Sequence, residues 1–285
     1  MTTQTRALLM VLAGIASVQI GAAFAKGLFT DAGPTTVAWL RLMLGALILL
    51  AWVRPRLRDR SRADWLVAVG FGLTLGLMNW SFYQSISRIP IGVAVTIEFL
   101  GPLAVAIASS RRRSDFVWAG LAALGVALLG GLPDHLDPVG GLYAALAGAA
   151  WASYLLLSAN TGRRWPGLDG LAVASLVAGL LLTPGALLSG ALSRVNTHVL
   201  TVALLVAVLS SVIPYSLELM ALRAITPGML GILMSLEPAA AALAAMAVLG
   251  EFVAPLGWVA MACVVTASIG ATRASTRQVS VNAAG

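Results

Sequence analysis

The sequence is poor in the residues that soluble proteins use for redox chemistry, metal binding and hydrolysis. Its 285 residues include one cysteine, Cys263, which excludes an intrachain disulfide and a cysteine-based zinc site. Two histidines, His135 and His198, cannot form a metal centre alone. The single lysine, Lys26, follows an alanine rather than the glycine of an ATPase phosphate loop, and no zinc-protease or serine-hydrolase signature is present. We therefore expect no enzyme activity, no cofactor, no metal and no ATPase subunit.

Charge is scarce as well. Only 10% of the residues are charged, whereas a soluble domain has about 25%. The chain is 59% hydrophobic and its mean hydropathy is +0.93, which excludes a soluble enzyme. The formal net charge of +7 would suit nucleic acid, but in so apolar a chain the basic residues have to be interpreted by position. Nucleic-acid binding is therefore excluded, and a lipid bilayer is the expected surrounding.

Long apolar runs fill the chain. With about 20 apolar residues per crossing, the length allows about ten spans. The runs are apolar on all sides and about twice as long as barrel strands, so we predict helices. The first run is too long for a signal peptide and is expected to remain as the first helix. The predicted spans are 7–29, 35–53, 65–86, 90–110, 116–132, 140–159, 168–189, 198–222, 227–249 and 253–271.

The positions of the arginines predict the orientation. With both termini in the cytoplasm, 14 of the 18 basic residues lie on the cytoplasmic side and two, Arg88 and Arg194, lie outside. Lys26 and Arg41 lie within spans. The cytoplasmic group is Arg6, Arg54, Arg56, Arg58, Arg60, Arg62, Arg111, Arg112, Arg113, Arg163, Arg164, Arg223, Arg273 and Arg277.

An internal repeat relates the two halves of the chain. The segments 92–102 (GVAVTIEFLGP) and 228–238 (GMLGILMSLEP) match in glycine, leucine and proline at an offset of 136, and Asp115-Phe116 matches Glu251-Phe252 at the same offset. Five spans are an odd number, so the second half must cross the membrane in the opposite sense. Inverted repeats are typical of transporters that bind their cargo at the interface between the repeats. We predict a first repeat at 1–136, a second at 137–272 and a short cytoplasmic tail at 273–285.

Polar residues at bilayer depth are the candidate binding site, because charge there is costly and usually faces a cavity or a partner. Glu98 and Glu237 lie near the middle of their spans, and Pro238 predicts a kink beside Glu237. Simpler interpretations stay open: the neutral residues could bond neighbouring helices, Lys26 and Arg41 could extend to the surface, and either cation could pair with Glu98 or Glu237. The candidates are Gln19, Lys26, Arg41, Asn79, Tyr83, Glu98, Trp151, Tyr154, Tyr215, Glu218 and Glu237.

The duplicated five-helix unit resembles the EamA branch of the drug/metabolite transporter superfamily, as do the arginine of TVAWLRLMLGAL and the Gly250-Glu251 pair. Longer stretches are similar to branch members that export threonine and homoserine. These stretches are SVQIGAAFAKGLF, residues 76–118, IPYSLELMALRAI at 213–225 and GILMSLEPAAAALAAMAVLGE at 231–251. The resemblance implies ten helices in two inverted bundles in the bacterial inner membrane, around a cavity lined mainly by helices 1, 3, 4, 6, 8 and 9.

The resemblance also implies export of small neutral amino acids, with threonine and homoserine as leading candidates. Proton exchange through Glu98 or Glu237 would drive efflux, and uniport remains an alternative. Another alternative is an exporter of lipophilic cations, although the first helix carries Lys26 and no acid. A membrane scaffold is a third, but it would not need three buried acids with prolines beside two of them.

Overall fold

The computed structural model describes residues 3–108, 115–129, 137–221, 224–225 and 227–282, and these residues form helices joined by short turns. Some residues named in the sequence analysis lie outside the described residues: Arg111, Arg112, Arg113, Arg223 and His135, together with the side chains of Asp115, Tyr215, Glu218 and Arg277. The helices are α1 (Thr3–Gly27), α2 (Phe29–Val53), α3 (Arg62–Ile86), α4 (Ile91–Glu98), α5 (Leu100–Ala108), α6 (Asp115–Leu129), α7 (Pro138–Arg164), α8 (Asp169–Leu188), α9 (Thr197–Ala207), α10 (Ile213–Ala221), α11 (Pro227–Met234), α12 (Glu237–Leu249) and α13 (Pro255–Asn282).

In the described part of the chain, eight helical segments are long and apolar enough to cross a membrane. Two of these eight contain a break, because α4 with α5 forms one segment and α11 with α12 another. Shorter apolar helices, Phe116–Leu129 and Thr197–Val212, occupy the predicted fifth and eighth spans. The prediction of an all-helical, multi-spanning chain is confirmed for the described residues, whereas the count of ten crossings remains a prediction.

Local sequence sets the helix ends. Ser61 and Asp64 form a reciprocal capping box at the start of α3, in which the side chain of each residue accepts from the backbone N–H of the other. Asp137 caps α7 by accepting from the N–H of Val139. Gly250 ends α12 in the left-handed conformation, with φ of 67°, which turns the chain towards Glu251.

Breaks occur at matching positions in the two halves. α4 (Ile91–Glu98) and α11 (Pro227–Met234) begin and end at an offset of 136 residues. Each ends four residues before a proline, Pro102 or Pro238, which has no N–H to bond the carbonyl four residues upstream. The same reason accounts for the π-helical segment Val208–Val212 ahead of Pro214.

Helix packing is reciprocal between the halves. α3 packs on α7 and α8, while α9 packs on α2 and α10 on α1; α2 meets α8, and α6 meets α13. The contact between the two broken helices departs from this pattern. α4 packs on α12, where a Cβ added at Gly92 would lie 2.7 Å from that of Ala242. The described parts of α5 and α11 do not pack on each other in a comparable way. The bundle is therefore closed at the α4–α12 end and looser at the α5–α11 end.

Candidate functional site

A cavity of about 520 Å³ lies where the two broken helices meet. It reaches from the breaks into the looser end, where Val105 and Ala106 of α5 face Leu230 and Gly231 of α11. Seven of the eleven predicted site residues line this cavity: Gln19, Arg41, Asn79, Glu98, Trp151, Tyr154 and Glu237. The second and tenth predicted helices also contribute, through Arg41 and through Ser268 and Thr272.

The two carboxylates come from the two breaks, at an offset of 139 rather than 136 residues, so their positions correspond only approximately. Glu98 is the last residue of α4 and Glu237 is the first residue of α12, and their exposed fractions are 8% and 9%. Gln19 donates from Nε2 to the Glu237 carboxylate at 3.4 Å, which leaves its Oε1 buried and without a partner among the described residues. Both breaks therefore bring an acid to the same small space, although an ionised carboxylate at this depth is costly.

Arg41 supplies positive charge to the cavity. Its Nη1 donates to the phenol oxygen of Tyr83 at 3.4 Å, and its guanidinium carbon lies 5.6 Å from the centre of that ring. Its Nε is buried and has no partner among the described residues. The Arg41 charge acts on Glu98, yet in the described part of the chain no ion pair within 4 Å joins them.

Tyr83 lies behind the cavity wall rather than on it. Its side chain is fully buried and packs on Phe29 and Phe82 with ring centroids 5.6 and 6.1 Å apart. Phe82, one position earlier on α3, lines the cavity beside Asn79. Tyr83 thus contacts Arg41 from outside the cavity.

Lys26 is at the closed end and not among the cavity-lining residues. Its ammonium forms an ion pair with Glu251, in the loop after α12, and donates to the carbonyl of Ile89 at 3.2 Å. The other Glu251 oxygen accepts from the N–H of Ile91 at 3.2 Å, so the carboxylate also binds the N-terminus of α4. The alternative that Lys26 pairs with Glu98 or Glu237 is therefore not what the structure shows.

Small hydroxyl residues of the cavity escaped the sequence analysis. Ser210 lies in the π-helical segment, and Ser268 exchanges a hydrogen bond of 2.8 Å with Ser235. Serine in an apolar helix gives the same pattern whether it bonds a neighbouring helix or faces a cavity. Only Ser210 had a usable signal, because Pro214 four residues later frees its backbone carbonyl.

The chemistry of the cavity lining suits the binding of a small molecule. The described residues contain no group of three or more histidine, cysteine, aspartate or glutamate side chains that could hold a metal ion. Charges of both signs, amides and aromatic rings line a space large enough for a small molecule.

Comparison with known proteins identifies the family. The model of the EamA-like transporter family matches residues 5–132 and 138–273. The chain belongs to the EamA-like transporter family. The resemblance stated from the sequence is thereby confirmed, and this EamA-like chain is a multi-pass membrane protein with transporters, not enzymes, as its relatives.

Its similarity to curated relatives extends over nearly the whole chain. It is 41% identical over 270 residues to the threonine/homoserine exporter RhtA of Escherichia coli K12, covering 93% of this chain and 90% of that protein. The RhtA exporter of Salmonella typhimurium LT2 gives the same identity and coverage. A solved crystal structure with 17% identity superposes with a TM-score of 0.63, covering 94% of this chain and 98% of the other, and that likeness concerns the fold alone.

Proposed function

We propose that this protein exports small neutral amino acids, with threonine and homoserine as its leading cargo. The observation that carries the proposal is a single cavity that contains Glu98, Glu237 and Arg41. An amino-acid zwitterion needs an anion for its ammonium and a cation for its carboxylate, and these side chains provide both. The 41% identity to the RhtA exporters supports the choice of threonine and homoserine.

The proposed mechanism is alternating access between two inverted five-helix halves, 1–136 and 137–272, with residues 273–285 as a tail. The matched breaks at an offset of 136 and the reciprocal helix packing support this arrangement. The cavity lies between elements of both halves, as expected when one half rocks against the other.

The proposed energy source is the proton gradient. No phosphate-binding loop is present in the sequence, so efflux against a gradient needs another driving ion. Glu98 and Glu237 are the candidate proton carriers, because protonation removes a charge that is costly at this depth. Uniport down the amino-acid gradient is the alternative, and it predicts transport that is insensitive to pH.

Inverted membrane vesicles from cells that overproduce the protein test the export proposal. Vesicles are given labelled threonine, homoserine, leucine and a lipophilic cation, with and without an imposed proton gradient. We expect threonine and homoserine to accumulate above the level of vesicles that lack the protein, and a gradient of inward acidity to increase this. Accumulation of the cation alone would instead favour a multidrug exporter, and no uptake by protein-containing vesicles would refute the proposal.

Both termini are expected in the cytoplasm of a bacterial inner membrane. The 14-to-2 division of basic residues favours this orientation, because positively charged loops are retained inside. A green fluorescent protein fused after Gly285 should fluoresce, and alkaline phosphatase fused at the same position should be inactive. Phosphatase activity at Gly285 would reverse the predicted orientation.

A further inference from the structure

We infer that Arg41 is the specificity determinant of the cavity: its free guanidinium edge binds the α-carboxylate of the cargo and excludes cations that lack one. The inference rests on the proposed function and adds which group distinguishes a zwitterion from an amine. It predicts that a cargo must keep its free carboxylate, and that the cavity without Arg41 accepts cationic amino-acid derivatives.

The guanidinium of Arg41 is hydrogen-bonded at one nitrogen, while another nitrogen has no partner among the described residues. A guanidinium has five N–H donors in a fixed plane and binds a carboxylate through two parallel hydrogen bonds. One of its ends is engaged, since Nη1 donates to the phenol oxygen of Tyr83 and the ring of Tyr83 lies beneath it. The Nε at the opposite edge is buried and unpartnered among the described residues, although Arg41 lines the cavity. Buried polar groups are normally hydrogen-bonded, so a buried Nε without a described partner, on a residue that lines the cavity, is a place for an acceptor that arrives with the cargo.

Among the described residues, no carboxylate fills that place. The described ion pairs within 4 Å involve Asp64, Asp137, Asp169 and Glu251, all at helix ends, and none involves Arg41. Glu98 lines the same cavity as Arg41 but forms no ion pair with it within 4 Å. Lys26 cannot substitute for Arg41, because its ammonium is paired with Glu251 at the closed end.

The charges of the cavity explain the exclusion of cations. Among the described lining residues, Glu98 and Glu237 are acids and Arg41 is the base. With Arg41 present, a cation meets a positive charge at one side of the cavity and finds no carboxylate of its own to place there. With Arg41 replaced by neutral glutamine, two acids face the cargo unopposed, and a cation becomes the better match.

The test compares threonine with threoninamide, which keeps the ammonium and hydroxyl but has no carboxylate. Uptake of both labelled compounds is measured in inverted vesicles with wild type, Arg41→Gln, Arg41→Lys and Arg88→Gln. Arg88→Gln is the matched control, because Arg88 also lies over a tyrosine ring, that of Tyr143, but pairs with Asp137 away from the cavity. Wild type and control should prefer threonine by at least about thirtyfold, the lower end of the loss expected when a buried charge loses its partner.

Arg41→Gln should lose threonine uptake by a similar factor and gain threoninamide uptake, which reverses the preference. Arg41→Lys keeps the charge without the planar fork, so it should weaken threonine uptake and still reject threoninamide. Equal uptake of the two compounds by wild type would overturn the inference while export itself stood, as would an unchanged preference in folded Arg41→Gln. If Arg41→Gln does not fold, the ratio of threonine to threoninamide uptake in wild type and in Arg41→Lys decides whether the inference holds. Failure of wild type to transport threonine would refute the proposed function, and the inference with it.

Discussion

Glutamine in place of Glu98 or Glu237 is expected to lower threonine uptake into inverted vesicles about thirtyfold or more, the lower end of the loss when a buried charge loses its partner. Glutamine keeps the size and hydrogen bonding of glutamate and removes only its charge. Each acid is more than nine-tenths buried at the edge of the cavity, where an ionised carboxylate is costly. We therefore expect the carboxyl group to bind the ammonium of the cargo or to carry a proton, and glutamine can do neither.

The two variants should differ in detail. Glu237 accepts from Gln19, and glutamine at this position can still bond to Gln19, so the loss there reports charge and not geometry. If one acid carries the proton, its glutamine variant should exchange threonine between the two sides but no longer respond to a pH gradient.

Asp31→Asn is the matched control for both, because Asp31 is an exposed acid in the first turn of α2, outside the cavity lining. It should leave uptake unchanged. Normal uptake and normal pH dependence in both glutamine variants would show that the acids are structural and that the site assignment is wrong.

Alanine in place of Gly148 or Gly101 is expected to destabilise the protein by about 1–3 kcal/mol and to reduce transport in the molecules that do fold. A Cβ at Gly148 would lie 2.6 Å from the backbone carbonyl oxygen of Glu98, and a Cβ at Gly101 would collide with the carbonyl oxygen of Gly148. Both obstacles are backbone atoms of packed helices, so no side chain can rotate to make room. α7 would have to move away from the break at Glu98.

Gly141→Ala is the control, since Gly141 lies on the same helix as Gly148 with no atom within 4 Å of an added Cβ. It should be neutral or slightly stabilising, because alanine favours a helix more than glycine does. Thermal unfolding of purified protein in detergent gives the stability, and threonine uptake per folded molecule gives the function. Equal melting temperatures for the Gly148 and Gly141 variants would contradict the close approach of α7 to the break.

Much of the fold follows from local sequence. Apolar runs predicted the helices because a bilayer requires about 20 apolar residues per crossing, and Pro238 marked a break because its missing N–H is a local property. Glu98 and Glu237 were identified as cavity residues from the cost of charge at their depth, and both border the cavity. No contact between distant segments was needed for any of these predictions.

The contacts of individual side chains depend on distant segments. The pairing of Lys26 with Glu251 joins α1 to the loop after α12, and nothing near Lys26 in the sequence indicates it. Tyr83 shares a helix face with Asn79, but a helix turn of 3.6 residues lets either position 82 or 83 follow residue 79 into the cavity. Because Tyr83 packs on Phe29, Phe82 lines the cavity in its place.

The closed end of the bundle bears on the direction of transport. Opening it requires the separation of Lys26 from Glu251, the loss of an acceptor for the Ile91 N–H, and the parting of Gly92 from Ala242. A cargo can drive that change only as far as it binds the opened form more tightly. Under the proposed alternating access, an empty carrier is therefore expected to rest with its entrance at the α5–α11 side, which the arginine positions predict to be the cytoplasm. Such a carrier collects its cargo from inside the cell and has to be filled before it turns outward, as an exporter must.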